Sequence, residues 1–331
     1  MTHTEIPPAS GAFRRPTRHT PRKAERRPST SGTGTGRLDR VRARLSSRAA
    51  TAVALLIAVV WTLPSLGLLV SSFRTPDAVA SSGWWRAFGD DALTLDNYAA
   101  IFDPTRVQVN LAEGLINSLA ITIPGAILPL GLALLAAYAF AWIPFRGRNT
   151  LFITVFALQI LPVQMVMVPL LRLFSGGEIF GTVVVRPLDG STGFASIWLA
   201  HTILALPLTI FLLHNFVASL PADLFEAARI DGAGHGQIFL RIVLPLAMPA
   251  IASIAIFQFL WVWNDLLIAL VFSSSDQNPI TVMLTNMVGT QGQNTYLLSA
   301  AAFISIIIPL GVFLGLQRYF VRGLLAGATK G

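Results

Sequence analysis

The chain has 331 residues, 53% of them hydrophobic and only 12% charged, where soluble domains carry about 25% charged residues. It holds no cysteine, which excludes a disulfide framework, a thiolate nucleophile and a thiolate metal site. The net charge is +8. These figures point to a membrane protein that crosses the bilayer several times.

The positive charge is concentrated at the start. Residues 1–49 hold 12 Lys+Arg against three acids, Glu5, Glu25 and Asp39. This stretch is rich in Pro, Ser, Thr, Gly and Arg, and it is expected to be a disordered basic arm. No short apolar region with a small-residue cleavage site follows its arginine pairs closely, so no cleaved signal is expected. The arm is read as a topology-setting tail on the cytoplasmic side, with lipid and not nucleic acid as its surroundings. Residues 50–331 form the transmembrane domain.

A helix needs about 20 apolar residues to cross the hydrocarbon. Six segments qualify, near 52–72, 116–143, 150–174, 195–216, 243–273 and 298–320. None alternates as a barrel strand would, so all six are expected to be helices. Prolines 64, 124, 129, 162, 169 and 309 predict kinks where neighbours satisfy the freed carbonyls. Arg146 and Arg148, then Arg229 and Arg241, then Arg318, Arg322 and Lys330 fall in alternate loops or ends. The positive-inside rule puts these inside, with both termini cytoplasmic.

Between the fourth and fifth segments lies the polar interruption "SLPADLFEAARIDGAGHGQIFLRIVLPLAMPAI", Ser219–Ile251. Pro221 suits a first helical turn, and Asp223 and Glu226 suit its dipole. "LFEAARID" is expected to be a short helix, ended by Gly232 and Gly234. A second helix begins near Gly236 and leads into the fifth span, with Pro245 and Pro249 shaping the entry. Leu224, Phe225 and Ile230 are expected to offer apolar contact to a partner, with Glu226, Arg229 and Asp231 at the rim.

Polar residues inside a membrane are site candidates by default. The fifth segment carries Trp261, Trp263, Asn264 and Asp265, read as one cluster suited to a sugar's apolar faces and hydroxyls. Gln159 and Gln164 flank Pro162, and Asn117 opens the second span. Each of these could line a path or link helices. Arg172 is expected to snorkel outward. His201 and His214 are read as packing or interfacial groups, and the five histidines have no metal-ligand spacing. The chain has two lysines, Lys23 and Lys330, and neither is followed by Ser or Thr, so it carries no P-loop. Any ATP must be bound by another polypeptide. No catalytic constellation stands out, and no enzyme activity is expected.

The string Glu226-Ala227-Ala228, Asp231-Gly232-Ala233, then Ile242 and Leu244-Pro245 resembles the "EAA" loop of permease subunits of bacterial binding-protein-dependent ABC importers. "SSFRTPDAVASSGWW", "FQFLWVWNDLLIALVF" and the terminal "QRYFVRGLLAGATKG" are similar to the maltose/α-glucoside-type carbohydrate branch. The resemblance implies a type I ABC importer permease fold in a bacterial plasma membrane. It implies that residues near 219–245 couple to the ATPase through Glu226, Ala227, Ala228, Asp231, Gly232, Ala233 and Pro245. It further implies two ATP-binding subunits, a second homologous permease, an extracytoplasmic sugar-binding protein and a sugar cargo. The rival reading is an ion-gradient-driven secondary transporter. The absence of an obvious inverted repeat and the presence of a docking loop argue against it.

Overall fold

The computed structural model describes residues 48–89, 93–107, 110–179, 182–183, 188, 193–288 and 295–328. Residues 1–47 of the basic arm lie outside the described residues, and its last two, Arg48 and Ala49, already belong to a helix. The chain divides into two compact units, Met1–Trp61 and Thr62–Gly331. Helix α1, Arg48–Ser72, begins in the first and ends in the second. Its residues 51–61 are all exposed, and Trp61 is exposed to 83%.

The second unit is almost wholly helical. After α1 come α2 (Pro76–Ser81), a 3-10 turn (Trp84–Phe88) and α3 (Asp96–Ala100). Arg74 is buried and donates to the Ala78 and Ser82 carbonyls. Asn97 Nδ2 donates to the carbonyls of Ser72 and Arg74. Buried polar groups must be paired in this way, and these pairs fold the segment after α1 onto itself.

Helix α4, Leu111–Trp142, opens with Asn110, whose side chain accepts the Glu113 N–H. Helix α5 (Arg148–Ala157) and a 3-10 turn (Leu158–Ile160) precede α6 (Val163–Phe174). The two stretches are bent by 106° at the break. The third expected span is therefore not one rod. Pro162 cannot donate a helical hydrogen bond, and it disfavours helical geometry at Leu161, which is extended (φ −68°, ψ 125°). A two-residue antiparallel pair, β1 (Glu178–Ile179) with β2 (Thr182–Val183), follows. Helix α7 is Ala195–Val217, and α8 is Ala222–Ile230. A continuous helical stretch then runs from His235 to Trp263. It contains α9 (His235–Ile238), a π turn (Phe239–Val243) and α10 (Leu244–Trp263). The π turn relaxes the ladder immediately before Pro245, which has no N–H to give the Arg241 carbonyl.

The expected fifth span was too long. Helix α10 stops at Trp263, Asn264 caps it, and α11 (Leu267–Phe272) is a separate helix. α12 (Ile280–Met287) and α13 (Thr295–Ala328) complete the order. By length and apolarity, five helical stretches among the described residues could each cross a membrane, or six if the bent pair counts as one span. The protein is a multi-pass, all-α membrane protein.

The proline kinks are held from outside. A proline leaves the carbonyl four residues before it without its helical donor. Pro124 frees Ala120, whose carbonyl accepts Trp198 Nε1–H from α7 (2.9 Å). Pro309 frees Ser305, which accepts Trp263 Nε1–H from α10 (3.2 Å). Pro129 frees Gly125, which accepts Gln258 Nε2–H at a longer 3.4 Å. Trp263→Phe should orphan the carbonyl of the half-buried Ser305, a cost of about 1 kcal/mol. Pro309→Ala restores the missing N–H. In a double-mutant cycle read by unfolding in detergent, the two changes should therefore couple by about 1 kcal/mol. Simple additivity would remove this account of Trp263.

Candidate functional site

Two regions bear on function, a polar bend after α7 and a cavity between helices. The bend is built on α8. Asp223 stands in its first turn, where the helix dipole favours an anion. Its end is a Schellman closure: the Gly232 N–H donates to the Arg229 carbonyl and the Ala233 N–H to the Ala228 carbonyl. Gly232 carries φ +79°, which glycine adopts without a Cβ penalty. Gly234 does not help to end this helix, as the sequence suggested. It starts the next one, its N–H donating to Gln237 Oε1 (3.1 Å).

Helix α8 presents two faces. Asp223, Glu226, Ala227 and Ile230 are exposed and share one stripe by their i, i+3, i+4, i+7 spacing. Ile230 is exposed to 86%. On the other face Phe225 is fully buried, and its ring stacks on Trp142 with centroids 3.7 Å apart. Trp142 Nε1–H in turn donates to the Val217 carbonyl at the end of α7 (3.0 Å). Phe225 therefore anchors the helix to its own chain and is not free for a partner, contrary to the sequence expectation. Ala228 and Ala233 are half-buried against the same core, whereas Asp231 and Pro245 are exposed. The Tyr138 hydroxyl lies 2.9 Å from His235 Nδ1, tying α4 to the start of α9. The bend is a rigid element with an open acidic and apolar stripe.

The cavity measures about 450 Å³ and lies between the bent pair, α7 and α10. Its polar lining is Gln159, Thr209, Gln258 and the Trp261 indole, among aliphatic side chains and Phe257, and among the described residues no charged one lines it. Of the candidate path residues, Gln159 lies here. Gln164 is exposed on α6. Asn117 is buried and donates to the carbonyls of Asp276 and Asn278, linking α4 to the loop before α12. Trp263 is buried against α13, Asn264 is exposed and donates to the Leu260 carbonyl of its own helix, and Asp265 caps α11 by accepting the Ala269 N–H. The expected Trp261–Trp263–Asn264–Asp265 cluster is thus split: Trp261 lines the cavity, and the other three point elsewhere. Gln258 and Thr209 belong to the cavity and went unnoticed in the sequence. A glutamine within an apolar helix was the available signal for the first.

The family profile described as "Binding-protein-dependent transport system inner membrane component" matches residues 113–325. The chain belongs to this family. It is a permease subunit of an ABC importer and not an enzyme. The osmoprotective compounds uptake permease protein GgtD of Synechocystis is 48% identical over 278 residues, covering 83% of this chain and 90% of the relative. The α-glucoside transport system permease protein AglG of Rhizobium meliloti is 35% identical, covering 84% and 95%. A chain of a bacterial alginate ABC transporter, solved with an alginate-bound periplasmic protein, superposes with TM-score 0.62 at 15% identity. The match covers 84% of this permease and 96% of that chain. At that identity the likeness shows the type I importer fold alone. The permease works with the other subunits of an importer.

Proposed function

We propose that this permease carries a neutral sugar, an α-glucoside or related oligosaccharide, into the cytoplasm of a bacterium. The work comes from two separate ATP-binding subunits docked on the Asp223–Glu226–Ala227–Ile230 stripe. A second homologous permease completes the membrane path, and an extracytoplasmic sugar-binding protein delivers the cargo. Both termini face the cytoplasm. The observation that carries the coupling assignment is the stripe itself: an exposed acidic and apolar face on a short helix whose opposite face is locked into the core. A push on such a helix is transmitted and not absorbed. Residues 219–245 would pass it through the π turn into α10, giving alternating access.

The cargo class rests on the relatives' names and on the cavity. Amide groups and an indole face suit hydroxyls and apolar sugar faces, and a lining without charge gives an ionic solute no counter-charge. Affinity purification from the native host in mild detergent tests the assembly. A P-loop ATPase and a second permease should co-purify, and Glu226→Lys should lose the ATPase while the chain still inserts. Retention of the ATPase by that variant would remove the docking assignment. Gln258→Leu should depress uptake at least tenfold with the ATPase still bound, because an apolar side chain replaces a polar group of the cavity wall and leaves the Gly125 carbonyl without its donor. Unchanged uptake would take Gln258 out of the path.

A further inference from the structure

His201 is 1% exposed. Its Nδ1 lies 2.9 Å from the Ile197 carbonyl, one turn back on α7. A carbonyl can only accept, so Nδ1 carries a hydrogen and, in the neutral ring, Nε2 is a bare acceptor. Nε2 is buried and has no hydrogen-bond partner among the described residues. The group facing it is Asp265 Oδ2, 3.7 Å away, an oxygen that already accepts the Ala269 N–H. Two acceptors therefore confront each other with little access to water, His201 buried and the Asp265 side chain 12% exposed, where their repulsion is less screened than in bulk. The void they share is about 10 Å³.

We propose that His201 and Asp265 together form a binding site for one proton, held between Nε2 and Oδ2. One proton turns the opposed acceptors into a donor and an acceptor. His201 and Asp265 are the only titratable groups among the residues lining the void. Helix α4 brings Ser118, Ile121 and Thr122, α10 brings Val262 and Trp263, and α11 brings Ala269, with Pro279 beyond.

The proton has a position to hold. Asp265 sits in the break between α10 and α11, and its own carbonyl accepts the Thr281 hydroxyl hydrogen of α12 (2.7 Å). Trp261, four residues earlier, meets the His201 ring edge-on, with centroids 5.3 Å apart and planes at 78°. The same indole is part of the cavity wall. The bound proton thus ties the end of α10 to α7 and fixes Trp261. Loss of the proton releases both. His201 and Asp265 are positioning residues that act through Trp261.

The test uses the importer purified with its accompanying subunits in lipid nanodiscs and needs no cargo. Nitrogen-15 resonances of labelled histidine, assigned with His201→Gln, report an imidazolium. The infrared carbonyl band of a protonated carboxyl, assigned with Asp265→Asn, reports the proton on the other partner. Over a scan from about pH 5 to 8, one of these two signatures should be present at the acid end. The fluorine resonance of fluorotryptophan 261, assigned with Trp261→Phe, should shift in step with that signature's loss. Asp265→Asn keeps an oxygen for the Ala269 N–H but removes the titratable carboxyl, and it should abolish the pH-dependent shift with the fold intact. A neutral His201 facing an ionised Asp265 throughout the scan would overturn the proton site and indicate an enclosed water donating to both. A titration that leaves the Trp261 resonance unmoved, or a shift that persists in Asp265→Asn, would overturn the positioning role.

Discussion

Gly232→Pro is expected to abolish both uptake and retention of the ATPase subunits. Proline fixes φ near −65°, while the backbone here stands at +79°. The substitution also deletes the N–H that the Arg229 carbonyl accepts, and with it half of the Schellman closure. Helix α8 would continue or fray, and the stripe would lose its angle to α10. A graded series separates backbone from bulk. A side chain added at this position would meet no atom within 4 Å, so any penalty is conformational. Gly232→Asn should stay near wild type because asparagine tolerates the left-handed region. Gly232→Val should cost about 1–2 kcal/mol. Transport assays and co-purification with the three variants should rank asparagine, valine and proline in falling order. Equal behaviour of all three would mean that the bend does not transmit motion.

Phe225→Ala should be the most destabilising single truncation in the same region. Its ring is fully buried and stacked on Trp142. Removing a buried phenylalanine side chain costs about 3–5 kcal/mol when the site cannot collapse. The indole of Trp142 is held by the Val217 carbonyl, so it cannot swing over to fill the space. We expect α8 to detach before the membrane helices unfold. Limited proteolysis near 219–234 should accelerate at least tenfold at a temperature where the rest of the chain is intact. Phe225→Leu should recover much of the loss because it keeps apolar volume. An unchanged cleavage rate in Phe225→Ala would show that the stack does not hold the helix.

The sequence made the helical class and the position of the polar bend legible, because both depend on local pattern. An apolar run sets a span, and glycine after a short amphipathic stretch sets a cap. The end of α10 was not legible in the same way. The residues after Trp263 continue as "NDLLIALVF", and a hydropathy window cannot see that Asn264 and Asp265 break the helix within an apolar stretch. The side on which Phe225 packs was hidden for a related reason. Helix α8 is apolar on both faces, and only the neighbouring Trp142 decides which one is inward. Trp263 and Asn117 were read as path candidates because polar atoms in apolar segments stand out. Their partners are backbone carbonyls of other elements, and a backbone acceptor leaves no trace in the identity of the residue that provides it.

That last property has an evolutionary corollary. At Ala120, Gly125 and Ser305 only the peptide oxygen takes part in the bridge, so selection on these contacts does not act on the acceptor's side chain. It acts on the proline four positions later and on the donor across the seam. Among relatives, Pro124 should change together with Trp198, Pro129 with Gln258, and Pro309 with Trp263, while Ala120 and Ser305 drift and Gly125 stays small, because an added Cβ would lie 3.2 Å from Val262 Cγ1. Each pair is a small inheritable unit written at two distant places in the gene, and loss of either half leaves the other without a purpose.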